Sequence, residues 1–183
     1  MGKMKQKMTN KAAANRLKSK DFDLFASDLP SVIKLLLIDH KAMRKLMQDM
    51  QSQRASTASV KKHFGVLKAL VKSHMAAEET SLLNHLKSHP KFSDEATESY
   101  EEHRMHELIF RGIAQINSPS RKAVQMKIYC EMLEHHLKEE EKDLFPRYKT
   151  YFSLSTRKEA SKTFMKKRLK TSKRDRAVGV LAE

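Results

Sequence analysis

Tryptophan is absent from the sequence, cysteine occurs once, and glycine and proline occur only four times each in 183 residues. Each scarcity excludes something. A lone thiol, Cys130, cannot close an intramolecular disulfide, so the fold requires no oxidising compartment. So few turn-forming residues leave long stretches without a break signal. Eleven methionines among abundant leucine, lysine and glutamate complete a composition that favours an all-helical protein. Long apolar runs are missing as well. The strongest, Val32 to Ile38, is interrupted by Lys34 and is far too short to span a bilayer. The first twenty residues are charged but hold no apolar stretch of the secretory type. The expectation is a cytoplasmic protein with no transmembrane segment.

The net charge of +15 suggests nucleic acid until it is located along the chain. Residues 1–20 hold seven basic residues and no acid, and residues 153–183 hold ten basic and three acidic. The stretch between them, with twenty basic and nineteen acidic residues, is almost neutral. The basicity therefore belongs to the ends. The expected organisation is a basic extension over 1–27, a four-helix bundle over 28–152 and a basic helix with a tail over 153–183. The basic ends offer phosphate or anionic-lipid contacts by counterion release, although no base-reading motif accompanies them.

Four helical segments can be read. The first runs from about Leu29 to Gln53 with Asp28 as N-cap, and the second from about Thr57 to Ser88, before Pro90. Ser93 or Asp94 caps a third, which ends near Ile116. The fourth starts at Asn117-Ser118-Pro119 and continues to about Phe152, bent near Pro146. A shorter, very basic helix covers about 155–170. Short connections make consecutive helices antiparallel neighbours, giving an all-α, up-down-up-down antiparallel four-helix bundle.

Every segment carries a histidine inside its own apolar stripe. His40 lies in line with Ile33, Leu36, Met43 and Met47; His74 with Phe64, Leu67, Leu70, Val71 and Leu82. His103 lies with Tyr100, Phe110 and Ile113; His136 with Tyr129, Met132, Leu133 and Leu144. One histidine on an apolar face is more often a core residue than a ligand. Four are tested by depth. Counted from the turns near 55, 91 and 118 at about 1.5 Å per residue, all four fall at one level to within roughly 5 Å per hairpin.

Carboxylates join them. His74-Met-Ala-Ala-Glu78-Glu79-Thr-Ser-Leu82-Leu83 and His136-Leu-Lys-Glu-Glu140-Glu141-Lys-Asp-Leu144-Phe145 both fit H-x-x-x-E-E-x-x-L-(L/F). A residue four positions on lies one turn away on the same face, so each His and Glu can bind one centre. A buried lone carboxylate is costly unless paired or bound to metal. Four imidazoles and two or three carboxylates, with no thiolate, are too many for one tetrahedral zinc. They suit two octahedral ions bridged by the glutamates, and iron best, because it gives a nitrogen-rich site redox chemistry. Ferritin-like sites need Glu-x-x-His, and no acid here precedes a histidine by three. A zincin needs H-E-x-x-H, and His106-Glu107-Leu-Ile-Phe110 lacks the second histidine.

The pattern H…H-x-x-x-E…H…H-x-x-x-E opens with Ile38-Asp39-His40 and closes with Glu140-Glu141-Lys-Asp-Leu-Phe-Pro146. Over about residues 30–150 it resembles the hemerythrin-like HHE cation-binding domain. The resemblance implies a pair of non-haem iron ions, oxo- or carboxylate-bridged. His40, His74, His103 and His136 would be terminal ligands, and Glu78 and Glu140 the bridges. It also implies a small diatomic or peroxide ligand. Hemerythrins that carry oxygen have H-x-x-x-H on the third helix, where this chain has His103 and Glu107, making Glu107 a further candidate ligand. They have H-x-x-x-x-D on the fourth, where this chain offers Glu140 at four and Glu141 at five. These departures point to the broader HHE group, which resembles sensors of oxygen, nitric oxide or iron and iron-handling proteins. The runner-up is a nucleic-acid or anionic-membrane module that uses the basic ends on a metal-stabilised bundle.

The other candidates read as structural. His63 and His85 share the face of His74 but lie about 16 Å from it. His89, His106 and His135 are expected at the surface. Tyr100 and Cys130 are expected to pack rather than react.

Overall fold

The computed structural model describes residues 31–52 and 54–177, the last six of them by backbone alone. These residues are helical throughout, with no strand among them. Helix α1 is Val32–Gln51. Helix α2, Thr57–Glu78, runs on through a π-helical turn, Glu79–Leu83, into the short α3, Asn84–Lys87. Helix α4 is Ser93–Gln115. Helix α5, Pro119–Glu139, likewise passes through a π-helical turn, Glu140–Leu144, into α6, Phe145–Tyr151. Helix α7 is Leu154–Ala177.

Serine hydroxyls start these helices by taking up backbone N–H groups that have no carbonyl partner in the first turn. Ser31 accepts from Lys34, Ser56 from Ser59, Ser118 from Arg121 and Ser153 from Thr156. The start expected at Asp28 lies outside the described residues, and Ser31 caps α1. Helix α4 begins at Ser93 without a side-chain cap, but Asp94 and Glu95 place negative charge in its first turn. Pro146 directly follows the second π-helical turn, where the regular i→i−4 pairing is already interrupted, so its missing N–H costs little. The last helix is longer than the sequence suggests, reaching Ala177.

The bundle has two apolar clusters. One gathers Met43, Met47, Phe64, Leu67, Val71, Phe110, Ile113, Tyr129 and Leu133 from four helices. The other gathers Val32, Leu36, Leu82, Leu86, Phe92, Ala96, Phe145 and Tyr148, with Ala160 and Phe164 from α7. Between them in sequence, on every rod, sit the buried polar residues: His40, His74 and Glu78, His103, His136 and Glu140. A polar layer is thus held between two apolar ones. Met132, expected inside, is 44% exposed, because the inward face of α5 follows Tyr129, Leu133, His136 and Leu137. No described helix is long and apolar enough to cross a membrane.

Candidate metal centre

The two π-helical turns occur within one residue of the same place in the internal repeat, the first starting just after Glu78 and the second at Glu140. A π-turn widens the helix by one residue and leaves carbonyls unpaired, a feature frequent at functional sites. Around the first turn, the Thr80 hydroxyl donates to the Ala76 carbonyl at 2.9 Å and that of Ser81 to Ala77 at 2.7 Å. The single Tyr100 hydroxyl proton is shared between the Glu79 carbonyl at 3.0 Å and Asn84 Oδ1 at 2.8 Å. Tyr100 therefore braces the turn that carries Glu78 and Glu79 and does not line the polar layer.

The polar layer is compact. The His40 and His74 rings are 5.0 Å apart, and those of His103 and His136 are 5.3 Å apart. Glu140 lies between the pairs, with Oε2 3.1 Å from His40 Nε2 and Oε1 3.3 Å from His136 Nε2. Glu78 Oε2 does the same for the other two rings, 3.6 Å from His74 Nε2 and 3.7 Å from His103 Nε2. His40, His74 and Glu140 form one group of donor atoms close enough to share a cation, and His103, His136 and Glu140 form a second.

Behind each ring stands an acid. His40 Nδ1–H donates to Glu141 at 2.8 Å, His74 to Asp39 at 3.2 Å, His103 to Glu79 at 2.9 Å and His136 to Glu102 at 3.0 Å. The four bonds close a ring around the bundle. Helix α1 supplies the acid for the histidine of α2, and the π-turn after α2 the acid for α4. Helix α4 supplies the acid for α5, and the π-turn after α5 the acid for α1. An imidazole that carries its proton on Nδ1 alone presents the Nε2 lone pair inward, the arrangement found in carboxylate-histidine-metal triads.

The inward atoms have no hydrogen-bond partner. They are Nε2 of His40, His74, His103 and His136 and both carboxylate oxygens of Glu78 and Glu140, all buried. The inward contacts of 3.1–3.7 Å are not aligned as hydrogen bonds. Eight buried acceptors with no donor among them would be costly in a proton-only core. Protons fill the layer only in part: Glu78 and His136 favour holding one, whereas His74 and Glu140 do not. Burial pushes His74 down to about 4, against the pull of Asp39. Burial, then the charge of Glu140, pushes Glu78 well up. Burial also works to raise Glu140, but the neighbouring histidines, His136 foremost, hold it low. Cations held by these two groups would take up the unpartnered lone pairs, so the residues fit metal binding.

The structure brings together His40, His74, Glu78, His103, His136 and Glu140. It does not bring Glu107 to them. The Glu107 carboxylate is 3.1 Å from Lys72 and 3.3 Å from Arg111, at the bundle flank. Helix α4 turns His103, His106, Phe110 and Ile113 inward, and Glu107 falls beside that line. His106, expected at the surface, is buried, hydrogen-bonded at 2.9 Å to the Tyr129 hydroxyl, with its ring 5.1 Å from that of His136. Burial, then the neighbouring histidines, pushes it down to about 3, so it is neutral. His135 stays exposed, whereas His89 is half-buried against Phe92 and Phe152. Cys130 is buried, and burial raises its thiol to about 11, which makes it unreactive at neutral pH.

Ligand spacing does not single out Asp39, Glu79 or Glu102, and it offers the fourth outer acid, Glu141, only as an alternative to Glu140. Their signal was adjacency: Asp39 precedes His40, Glu102 precedes His103, Glu79 follows Glu78 and Glu141 follows Glu140. Each acid serves a histidine on another helix, and only the assembled bundle shows that pairing.

Among protein-family models, that of the hemerythrin HHE cation binding domain matches residues 31–148. No curated protein and no solved structure matches the chain.

Proposed function

The chain belongs to the hemerythrin HHE cation-binding domain family, and from that premise we propose that it is a non-haem di-iron protein that binds or senses a small oxidant: oxygen, nitric oxide or peroxide. The observation that carries the reading is the set of eight inward, unpartnered donor atoms on four histidines and two glutamates. One ion would take His40 and His74, the other His103 and His136, with Glu78 and Glu140 shared between them. With so few protein donors per ion, each ion would keep room for a small ligand. Iron, when bound, supplies reversible electron transfer at those positions. The chain's own residues hold the imidazoles in the metal-binding tautomer, keep the bridges dry and exclude bulky molecules by burial.

Access for a small ligand is available on one side. A cavity of about 330 Å³ with a largely apolar wall, including Met105 and Met132, abuts His106 and His136. The reading includes the up-down-up-down order of the four rods, supported by their short connections, and a cytoplasmic location, consistent with a single buried thiol. It also keeps the bundle at 28–152 between basic ends. No observation among the described residues favours nucleic acid or an anionic surface as partner.

Metal analysis of the purified chain with an optical spectrum under air, nitric oxide and reductant tests the reading. Two irons per chain and an absorption that responds to all three are expected. A single zinc, or no metal, overturns it.

A further inference from the structure

Donor atoms this deeply buried pose a physical question: by which route does an ion reach them? The His40 and His74 side is covered. Phe145 packs on His40 with ring centroids 5.5 Å apart, and Phe164 of α7 packs on His74 at 6.4 Å. Arg168 and Arg44 close the outer edge through Asp39 and Glu141. The His103 and His136 side is different. There a cavity of about 240 Å³ runs between α4 and the α5 rod, and His136 and Glu140 are on its wall. His136 Nε2 and both Glu140 oxygens are buried and unpartnered.

The mouth of this cavity carries Glu98, Glu102, Glu139 and Asp143. Its one arginine, Arg147, is paired with Glu95 at 2.6 Å and adds no net charge. Glu98 and Asp143 have no salt-bridge partner among the described residues, while Glu139 meets the exposed His135 and Glu102 holds His136. This concentration of negative charge sits on a chain whose net charge is +15. A cleft lined by one sign of charge raises the local concentration of the opposite ion and its association rate. The volume is ample for a partly hydrated divalent ion.

We infer that the acidic cleft between α4 and the α5 rod is the loading port for the divalent cation, with Glu98, Glu139 and Asp143 steering the ion and Glu140 receiving it at the floor. The inference rests on the metal-binding reading and adds a route and a charge selection to it. The same field repels anions, so the port distinguishes metal cations from anionic small molecules. The His103 and His136 half of the site, which adjoins the port, fills first.

Stopped-flow loading of metal-free full-length protein with cobalt(II), followed by its ligand-field absorption, tests the port. The variant E98Q/E139Q/D143N changes only exposed groups, and its fold is checked by circular dichroism. Loading is expected to slow about tenfold and to lose the steep salt dependence of the wild type, with the final stoichiometry unchanged. The charge-reversed E98K/D143K is expected to load more slowly still. D49N, on α1 and outside both cavities, keeps the wild-type rate. Wild-type protein that loads while the triple variant matches its rate and salt dependence overturns the port alone. Wild-type protein that takes up no ion overturns the metal reading and the port with it.

Discussion

Behind His40 and His74 stand two arginines, whereas behind His103 and His136 there is none among the described residues. Arg44 donates to Glu141 at 2.7 Å, and Arg168 of α7 donates to Asp39 at 2.7 Å and to Ser73 at 2.5 Å. Burial raises both acids, but these cations and the histidine hydrogen bonds hold them below the usual carboxylate range. Glu79 and Glu102 hold their histidines with no arginine or lysine paired to them and are more exposed, at 34% and 40%. The hydrogen bond from His136 is what holds Glu102 low. The same ligand chemistry is therefore set in a closed, braced half and an open, acidic half. An arginine on the outer acid weakens that acid's pull on the imidazole proton, so two ions held here would be inequivalent.

The largest effect that can break the comparison is removal of what the halves share. Glu140→Ala is expected to lose both ions, because Glu140 contributes an oxygen to each group, and metal analysis reads this directly. Retention of one tightly held ion would show that the halves are independent. Removing the brace comes next. Arg168→Gln leaves Asp39 buried without its cation, and chemical denaturation of the metal-free protein should show a loss of about 2–3 kcal/mol. The companion Arg168→Gln/Asp39→Asn should recover part of it, and no recovery would show that Arg168 acts elsewhere.

The two halves can also be weakened one at a time. Asp39→Asn and Glu102→Gln each remove one outer acid, and each is expected to lower metal affinity roughly 10- to 100-fold in its own half only. A metal titration should then separate into one wild-type step and one weakened step. Equal weakening of both steps by either variant would erase the distinction.

The smallest predicted effect concerns His106, which belongs to the open half. Its folded pKa, about 3, lies below the ordinary 6.5, so the unfolded chain binds the proton more readily. Stability from this group is present above pH 6.5 and is lost as pH falls, by about 2 kcal/mol between pH 7 and pH 5. Metal-free His106→Gln should show that much less acid destabilisation than the wild type over this range. An identical pH profile would mean that His106 is charged in the fold.

Much of this was legible without coordinates. Helical periodicity placed His40, His74, His103 and His136 on inward faces, and counting from the turns set them at one depth. The H-x-x-x-E-E repeat picked out Glu78 and Glu140. Where the reading went astray, the cause was rotation. Residues three and four positions past His103 flank its face on opposite sides, and a small roll of α4 about its own axis decides which is buried. The roll buries His106 and leaves Glu107 to Lys72 and Arg111.

The sequence by itself determined the elements, the family pattern and the ligand types, because those depend on spacing along one helix. The tertiary structure alone decided which acid holds which histidine, that α7 returns to place Arg168 on Asp39, and that one half of the site is open. Those are contacts between helices far apart in the chain, from 24 residues for Glu79 and His103 to 129 for Asp39 and Arg168. No periodicity encodes them, since they depend on how the rods are rolled and packed against one another.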